Sequence, residues 1–252
     1  MKSTGQDFDL TGKVAVVVGG SGHLCSVIAR ALKKAGARIA ILDLSQPEFD
    51  WLDGDSARFI PVDVTSKADV MRSRDEVLKV YGRADILLNG AGANAPTPFL
   101  EISEPEIQRI LAVNLASLIY TCQAFGEPMV NQRGGSIINF ASASSGPPLS
   151  KAFVYSMAKA GVVSITQNLA REWAPFNVRV NALRPGFFPT EWSMNNFIDD
   201  ERKSKILGHT PMGRFGQPEE LVGAALWLAS DAASFVTGSV IAVDGGFTAM
   251  TI

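Results

Sequence analysis

The chain has 252 residues, 46% hydrophobic and 19% charged, with a formal net charge of −2. That balance supports a sizeable core and excludes a disordered chain, and with no basic block anywhere nucleic acid is not expected as a partner. MKSTGQDFDLTGK at the start has no apolar stretch of signal-peptide length, no uncharged apolar run approaches ~18 residues, and Cys25 and Cys122 lack metal-type spacing. The expectation is a soluble, cytoplasmic protein with reduced thiols, no metal and no membrane.

In chain order the pattern alternates strand and helix. Apolar, β-branched runs mark strands at 13–19 (KVAVVVG), 38–43, 58–64, 84–90, 135–142, 178–183 and 239–245. Helical periodicity lies between them at about 22–35, 67–81, 104–130, 152–174 and 217–230. This predicts an α/β fold: a single Rossmann-like domain over 1–252, with a doubly wound parallel sheet of about seven strands and helices on both faces. The connection over 187–215 is too long for a turn and reads as a substrate lid, or as a surface excursion with a short helix.

The turn after the first strand holds Gly19, Gly20, Ser21 and Gly22, whose backbone can approach a pyrophosphate while the next helix N-terminus adds positive potential. Gly20-Ser21-Gly22-His23-Leu24-Cys25 fits G-x-G-x-x-G only if Cys25 replaces the third glycine, which makes Cys25 a small packing residue. His23 faces either the pyrophosphate or solvent. Asp43 ends the second strand, where a carboxylate hydrogen-bonds ribose hydroxyls and repels a 2′-phosphate. That predicts NAD as cofactor in preference to NADP.

In FVYSMAK, Tyr155 and Lys159 lie four residues apart on a predicted helix and share a face. A nearby ammonium favours phenolate, so Lys159, together with a bound cofactor's charge, is expected to depress the Tyr155 pKa toward neutrality. Ser142 precedes Tyr155 by 13 residues and Asn114 precedes Ser142 by 28.

With these residues in place, nearly the whole chain resembles the short-chain dehydrogenase/reductase family. LLNGAG resembles the family's segment after strand four, with Gly90 at its second position, and RPGFFPTE its P-G turn; GRFGQPEEL and SFVTGSVIAVDGGF resemble its C-terminal region. The departures are the threonine and the last two glycines of T-G-x-x-x-G-x-G, which read here as Val18, His23 and Cys25. The resemblance implies a catalytic tetrad of Asn114, Ser142, Tyr155 and Lys159. Tyr155 would exchange a proton with the substrate oxygen, Ser142 would orient that oxygen, Lys159 would bind the nicotinamide ribose, and Asn114 would hold a water. It also implies cofactor contacts from Gly19, Ser21, Gly22, His23, Leu24 and Asp43, from Asp63 and Val64 at the adenine, and from Asn89, Gly90 and Ala91. Pro185, Gly186, Phe188 and Thr190 would lie near the nicotinamide. A homotetramer is implied by the same analogy.

Within the family, PGFFPTE, HTPMGRFGQPEEL and VTGSVIAVDGGFTA most resemble the sugar-acid branch, D-mannonate oxidoreductase and gluconate dehydrogenase-like members. A carboxylated polyol needs a cation and hydrogen-bond partners. Candidates are Lys151, which reads equally as a surface lysine, Asn94 and Arg184. Phe153, Phe187, Trp192 and Phe197 also permit a more apolar substrate. Three readings stay open: an oxidoreductase of a sugar acid or polyol, the same chemistry on a 3-oxoacyl thioester or cyclic ketone, and a nucleotide-binding regulator without catalysis.

Overall fold

Five consecutive apolar residues rich in valine, VAVVV, suit a strand covered on both sides. In the computed structural model, which describes residues 8–196 and 198–250 and the side chains of all these but 191, 192 and 196, they form β1 (Val14–Val18), buried throughout. The other strands are β2 (Arg38–Asp43), β3 (Ala57–Pro61), β4 (Ile86–Asn89), β5 (Gly135–Phe140), β6 (Val178–Pro185) and β7 (Val240–Val243). All seven are parallel, in the order β3-β2-β1-β4-β5-β6-β7.

The helices divide between the two faces. One face carries α1 (His23–Lys34) and α8 (Val222–Ala229), with Ala15, Val17, Ile28 and Leu228 in one core. Against the other lie α2 (Lys67–Tyr81), α4 (Ser117–Asn131) and α5 (Phe153–Trp173), with Val14, Val16, Phe125 and Val162 in a second core. Alternate residues of β1 thus serve opposite cores, which is why the strand has no polar side. Strand order reverses between β1 and β4, and ligands of open α/β sheets bind at such a point, beyond the C-terminal strand ends.

Two helices differ from their sequence pattern. The 104–130 periodicity becomes α3 (Glu104–Leu111), a π-helical turn (Ala112–Ala116) and α4 in one continuous run. The run is long and apolar enough to cross a membrane, but half of its most apolar window is buried inside the molecule. The π turn has a local cause. Asn114 Nδ2 donates to the Ile110 carbonyl at 2.8 Å, the oxygen that an α-helix reserves for the Asn114 backbone N–H. The 217–230 helix opens as a 3-10 turn (Pro218–Leu221) before α8. Segment 187–215 holds α6 (Glu191–Asn196) and α7 (Asp200–Gly208), two short helices.

Candidate active site

The turn leaving β1 is built for close backbone approach. Gly19 has φ +71°, and a Cβ there would stand 2.7 Å from the Ala91 backbone nitrogen. Gly22 N donates to Gly19 O at 3.1 Å, closing the turn that starts α1. Asp43 Oδ2 accepts from Ser21 N at 3.0 Å, so the carboxylate ending β2 is aimed across this turn. His23 is exposed, and the first turn of α1, HLCS, has no acidic residue to oppose an anion. Asp63 accepts from the Thr65 backbone and hydroxyl in the loop after β3, and Val64 beside it is buried. Between them, the glycine cradle, the open helix terminus and the aimed carboxylate fit a dinucleotide.

The departure at Cys25 is matched by the glycine at position 90. Cys25 is buried, with its thiol pushed up to about 12 by burial, so it is not a nucleophile. A Cβ placed on Gly90 would overlap the Cys25 Sγ. The sulfur occupies space that a glycine at position 25 would leave open, and a glycine at position 90 leaves room for it.

Across the turn lies a cleft of about 730 Å³. Ser142, Tyr155 and Lys159 border it on one side, Leu24, Gly90 and Asn94 on another, and Pro185, Gly186, Phe187, Phe188 and Thr190 on the far side. Lys159 Nζ is buried, donates to the Phe140 carbonyl at 2.7 Å and sits 5.5 Å from the Tyr155 ring centroid. Burial holds the Lys159 pKa down to about 8. Burial also raises the Tyr155 phenol, and the neighbour that lowers it is the Ser142 hydroxyl. From the protein's own groups the shift runs opposite to the expected direction: desolvation of the phenolate dominates, and the Lys159 ammonium by itself does not bring the phenol down.

Asn114 does not reach the cleft. Its Nδ2 donates to Ala93 O at 2.7 Å and its Oδ1 accepts from Ala93 N at 3.3 Å, pinning the loop after β4. With Lys159 it borders a separate cavity of about 10 Å³, close to the room one water needs. Asn89, expected at the cofactor, turns inward instead. A buried relay runs from Thr121 to Asn89 (2.7 Å), to Asn139 (2.9 Å), to Thr166 (2.9 Å), tying α4, β4, β5 and α5 together beneath the tetrad. Ala91 faces the small cavity with it.

The substrate-side candidates separate. Asn94 lines the cleft with a buried Oδ1 that has no partner among the described residues. Lys151 lines a neighbouring cavity of about 610 Å³ and pairs with Asp199 at 3.4 Å. The Arg184 guanidinium lies by Gly146 and lowers the Asp244 pKa, and Phe153 stacks edge-on against Phe99 at 5.4 Å. Phe187 packs edge-on against Phe247 at 5.1 Å. The side chain of Trp192, and all of Phe197, lie outside the described residues. Arg109 and Arg202 line the cleft and the sequence reading missed both. Neither belongs to a motif, and in DERKSK nothing marks which cation turns inward.

Comparison with known proteins gives the family. Residues 24–248 match the family model described as enoyl-(acyl carrier protein) reductase. An NAD-dependent glycerol dehydrogenase of Listeria innocua is 35% identical, over 98% of both chains. A D-threitol dehydrogenase of Mycolicibacterium smegmatis is 37% identical, over 96% of this chain and 95% of its own. The crystal structure of a gluconate 5-dehydrogenase from Burkholderia cenocepacia in complex with NADP and tartrate superposes with a TM-score of 0.92 at 32% identity, covering 98% of this chain and 99% of the other. With this agreement along almost its whole length, the chain belongs to the short-chain dehydrogenase/reductase family and is an oxidoreductase with a nicotinamide dinucleotide site.

Proposed function

We propose that this enzyme interconverts a secondary alcohol and a ketone on a sugar acid or polyol, as a mannonate- or gluconate-type dehydrogenase does, and prefers NAD(H). The observation that carries the reading is the cleft itself. It joins the Ser142–Tyr155–Lys159 group to the unpartnered acceptor of Asn94, and that combination suits a substrate with several hydroxyls. Relatives acting on glycerol and threitol, and a structural neighbour acting on gluconate, support the same substrate class.

When bound, the nicotinamide supplies or accepts the hydride. Ser142 orients the reacting oxygen by hydrogen bonding, and Tyr155 gives it a proton in reduction or takes one in oxidation. Lys159, fixed by the Phe140 carbonyl, holds positive charge beside the phenol and offers a donor to the nicotinamide ribose. Asn114 acts as a positioning residue: it fixes the 91–94 loop and borders the cavity suited to a relay water. Asp43 binds the adenosine ribose, and its charge disfavours a 2′-phosphate. No neighbouring lysine or arginine follows it, since Leu44 and Ser45 come next.

The test is NADH and NADPH binding by nicotinamide fluorescence, with turnover of a panel of aldonates, neutral polyols and a 3-oxoacyl thioester. Tight NADH binding with turnover of aldonates or polyols is expected, and Asp43→Ala should weaken NADH about tenfold and narrow its advantage over NADPH. Turnover confined to the thioester would favour the second reading, which the description of the matching family model supports. A cytoplasmic homotetramer belongs to the same proposal, and light scattering of the purified protein checks its mass.

A further inference from the structure

Arg202 has an unusual position for a cation on a short surface helix. It lies on α7 but lines both the catalytic cleft and the neighbouring cavity, forming with Phe187 the wall they share. Its Nη2 donates to the Ser150 carbonyl at 2.9 Å, fixing the guanidinium plane against the loop that leads from Ser142 to Tyr155. Its Nη1 is buried and has no hydrogen-bond partner among the described residues. The two acids beside it do not fill that need. Glu201 pairs with Lys205. Asp199 accepts from the Arg202 backbone N–H at 2.7 Å and pairs its other oxygen with Lys151. A buried donor on a charged group left without an acceptor is costly unless a ligand supplies one.

We infer that Arg202 is the residue that selects a carboxylate at the far end of the substrate, Nη1 being the donor and the buried Asn94 Oδ1 the matching acceptor for a substrate hydroxyl. This rests on the sugar-acid reading above and narrows it to the acid. Arg202 and Asn94 both border the cleft that holds Tyr155 and Ser142, and the unpartnered atom of each lies just beneath that lining, so an acyclic hydroxy acid with its carbinol at the tyrosine would reach them by a small side-chain adjustment. Lys151 does not serve, because its ammonium is engaged by Asp199 and faces the other cavity. The planar guanidinium is anchored at Nη2 by Ser150 and keeps Nη1 free of any partner among the described residues, and a guanidinium fork is the form best suited to a carboxylate.

The experiment is calorimetric titration of wild type, Arg202→Leu and Arg202→Gln with gluconate and with the neutral hexitol glucitol, with and without NADH. NADH binding is followed separately by fluorescence. Gluconate affinity should fall by on the order of 10- to 100-fold in Arg202→Leu while glucitol affinity changes less than about twofold. Arg202→Gln, which keeps a donor for the Ser150 carbonyl, should show the same split with the loop preserved. Steady-state kinetics should place the loss in KM for gluconate rather than in kcat. Equal losses for both ligands, or wild type that binds gluconate no better than Arg202→Leu, would overturn the assignment. Failure of wild type to bind NADH would instead break the dinucleotide reading, and the fluorescence channel registers it independently of the titrations.

Discussion

The two walls of the cleft are built in different ways. The tetrad wall is held by hydrogen bonds out of reach of bulk water: Lys159 to the Phe140 carbonyl, Asn114 to the Ala93 backbone on both edges, and beneath them the buried side-chain relay Thr121–Asn89–Asn139–Thr166. The opposite wall, 187–215, rests on apolar contacts such as Phe187 on Phe247, and its charged pairs lie at the surface, as in Lys151–Asp199, whose side chains are 43% and 60% exposed, and Lys205–Glu201 within α7. Surface pairs contribute ~0–1 kcal/mol each, whereas a buried polar group that loses its partner costs ~1–3 kcal/mol. The proton-transfer group thus sits on the wall that is costly to alter, and the proposed carboxylate contact, Arg202, on the wall whose surface pairs can change at less cost to folding.

The largest expected effect tests the tetrad wall. Tyr155→Phe should lower turnover by ~10²–10⁴-fold while leaving NADH binding near wild type, because only the transferable proton is removed. Retention of more than about a tenth of the activity would mean that the proton comes from another group.

Next in size is the packing that makes this wall fit the cofactor turn. Gly90→Ala should destabilise the protein by ~1–3 kcal/mol, since its Cβ meets the Cys25 sulfur, and should weaken NADH binding. Cys25→Ala in the same chain should restore most of both. Thermal melts of the two single variants and the double variant measure the coupling, and simple additivity would show that the two positions are unrelated.

The pH response gives a third test. The Lys159 pKa lies near 8 when folded, below its usual value, so the unfolded chain binds the extra proton between about 8 and the ordinary lysine range. Stability of wild type relative to Lys159→Met should therefore rise with pH across that window. With the Tyr155 phenol raised by burial, alcohol oxidation should keep climbing into the alkaline range, since it needs the phenolate. A stability difference that stays flat with pH would mean that Lys159 is better solvated than its 4% exposure indicates.

The smallest effect belongs to the opposite wall. Lys151→Ala should change stability by less than ~0.5 kcal/mol and the KM for an aldonate by less than about threefold. A larger rise in KM would move the carboxylate site from Arg202 toward Lys151, and so would blur the contrast between the walls.

Much of this was legible in the residues themselves. Apolar runs without alternation, set between helical patterns, pointed to strands buried on both faces, Tyr155 and Lys159 four apart on a helix share a face, and Gly19, Gly20 and Gly22 after β1 marked a turn whose backbone can approach a pyrophosphate. These are local consequences of chain geometry. Motif resemblance also located Ser142 and Gly186 on the cleft.

Other features were decided only by tertiary structure. Cys25 in the glycine turn and Gly90 in LLNGAG read as unrelated features until the fold brought them into contact. Asn89 looked available to a cofactor until Asn139, 50 residues away, took its amide. The sign of the Tyr155 shift depends on how much water its surroundings exclude, and no spacing of charges along the chain contains that quantity. Arg202 gained its place when a short helix packed its stem between two cavities, with its head against the Ser150 carbonyl. The sequence specified which groups are present and which faces are apolar. Desolvation and hydrogen-bond competition, which depend on neighbours remote in sequence, decided which of those groups are free to meet a substrate.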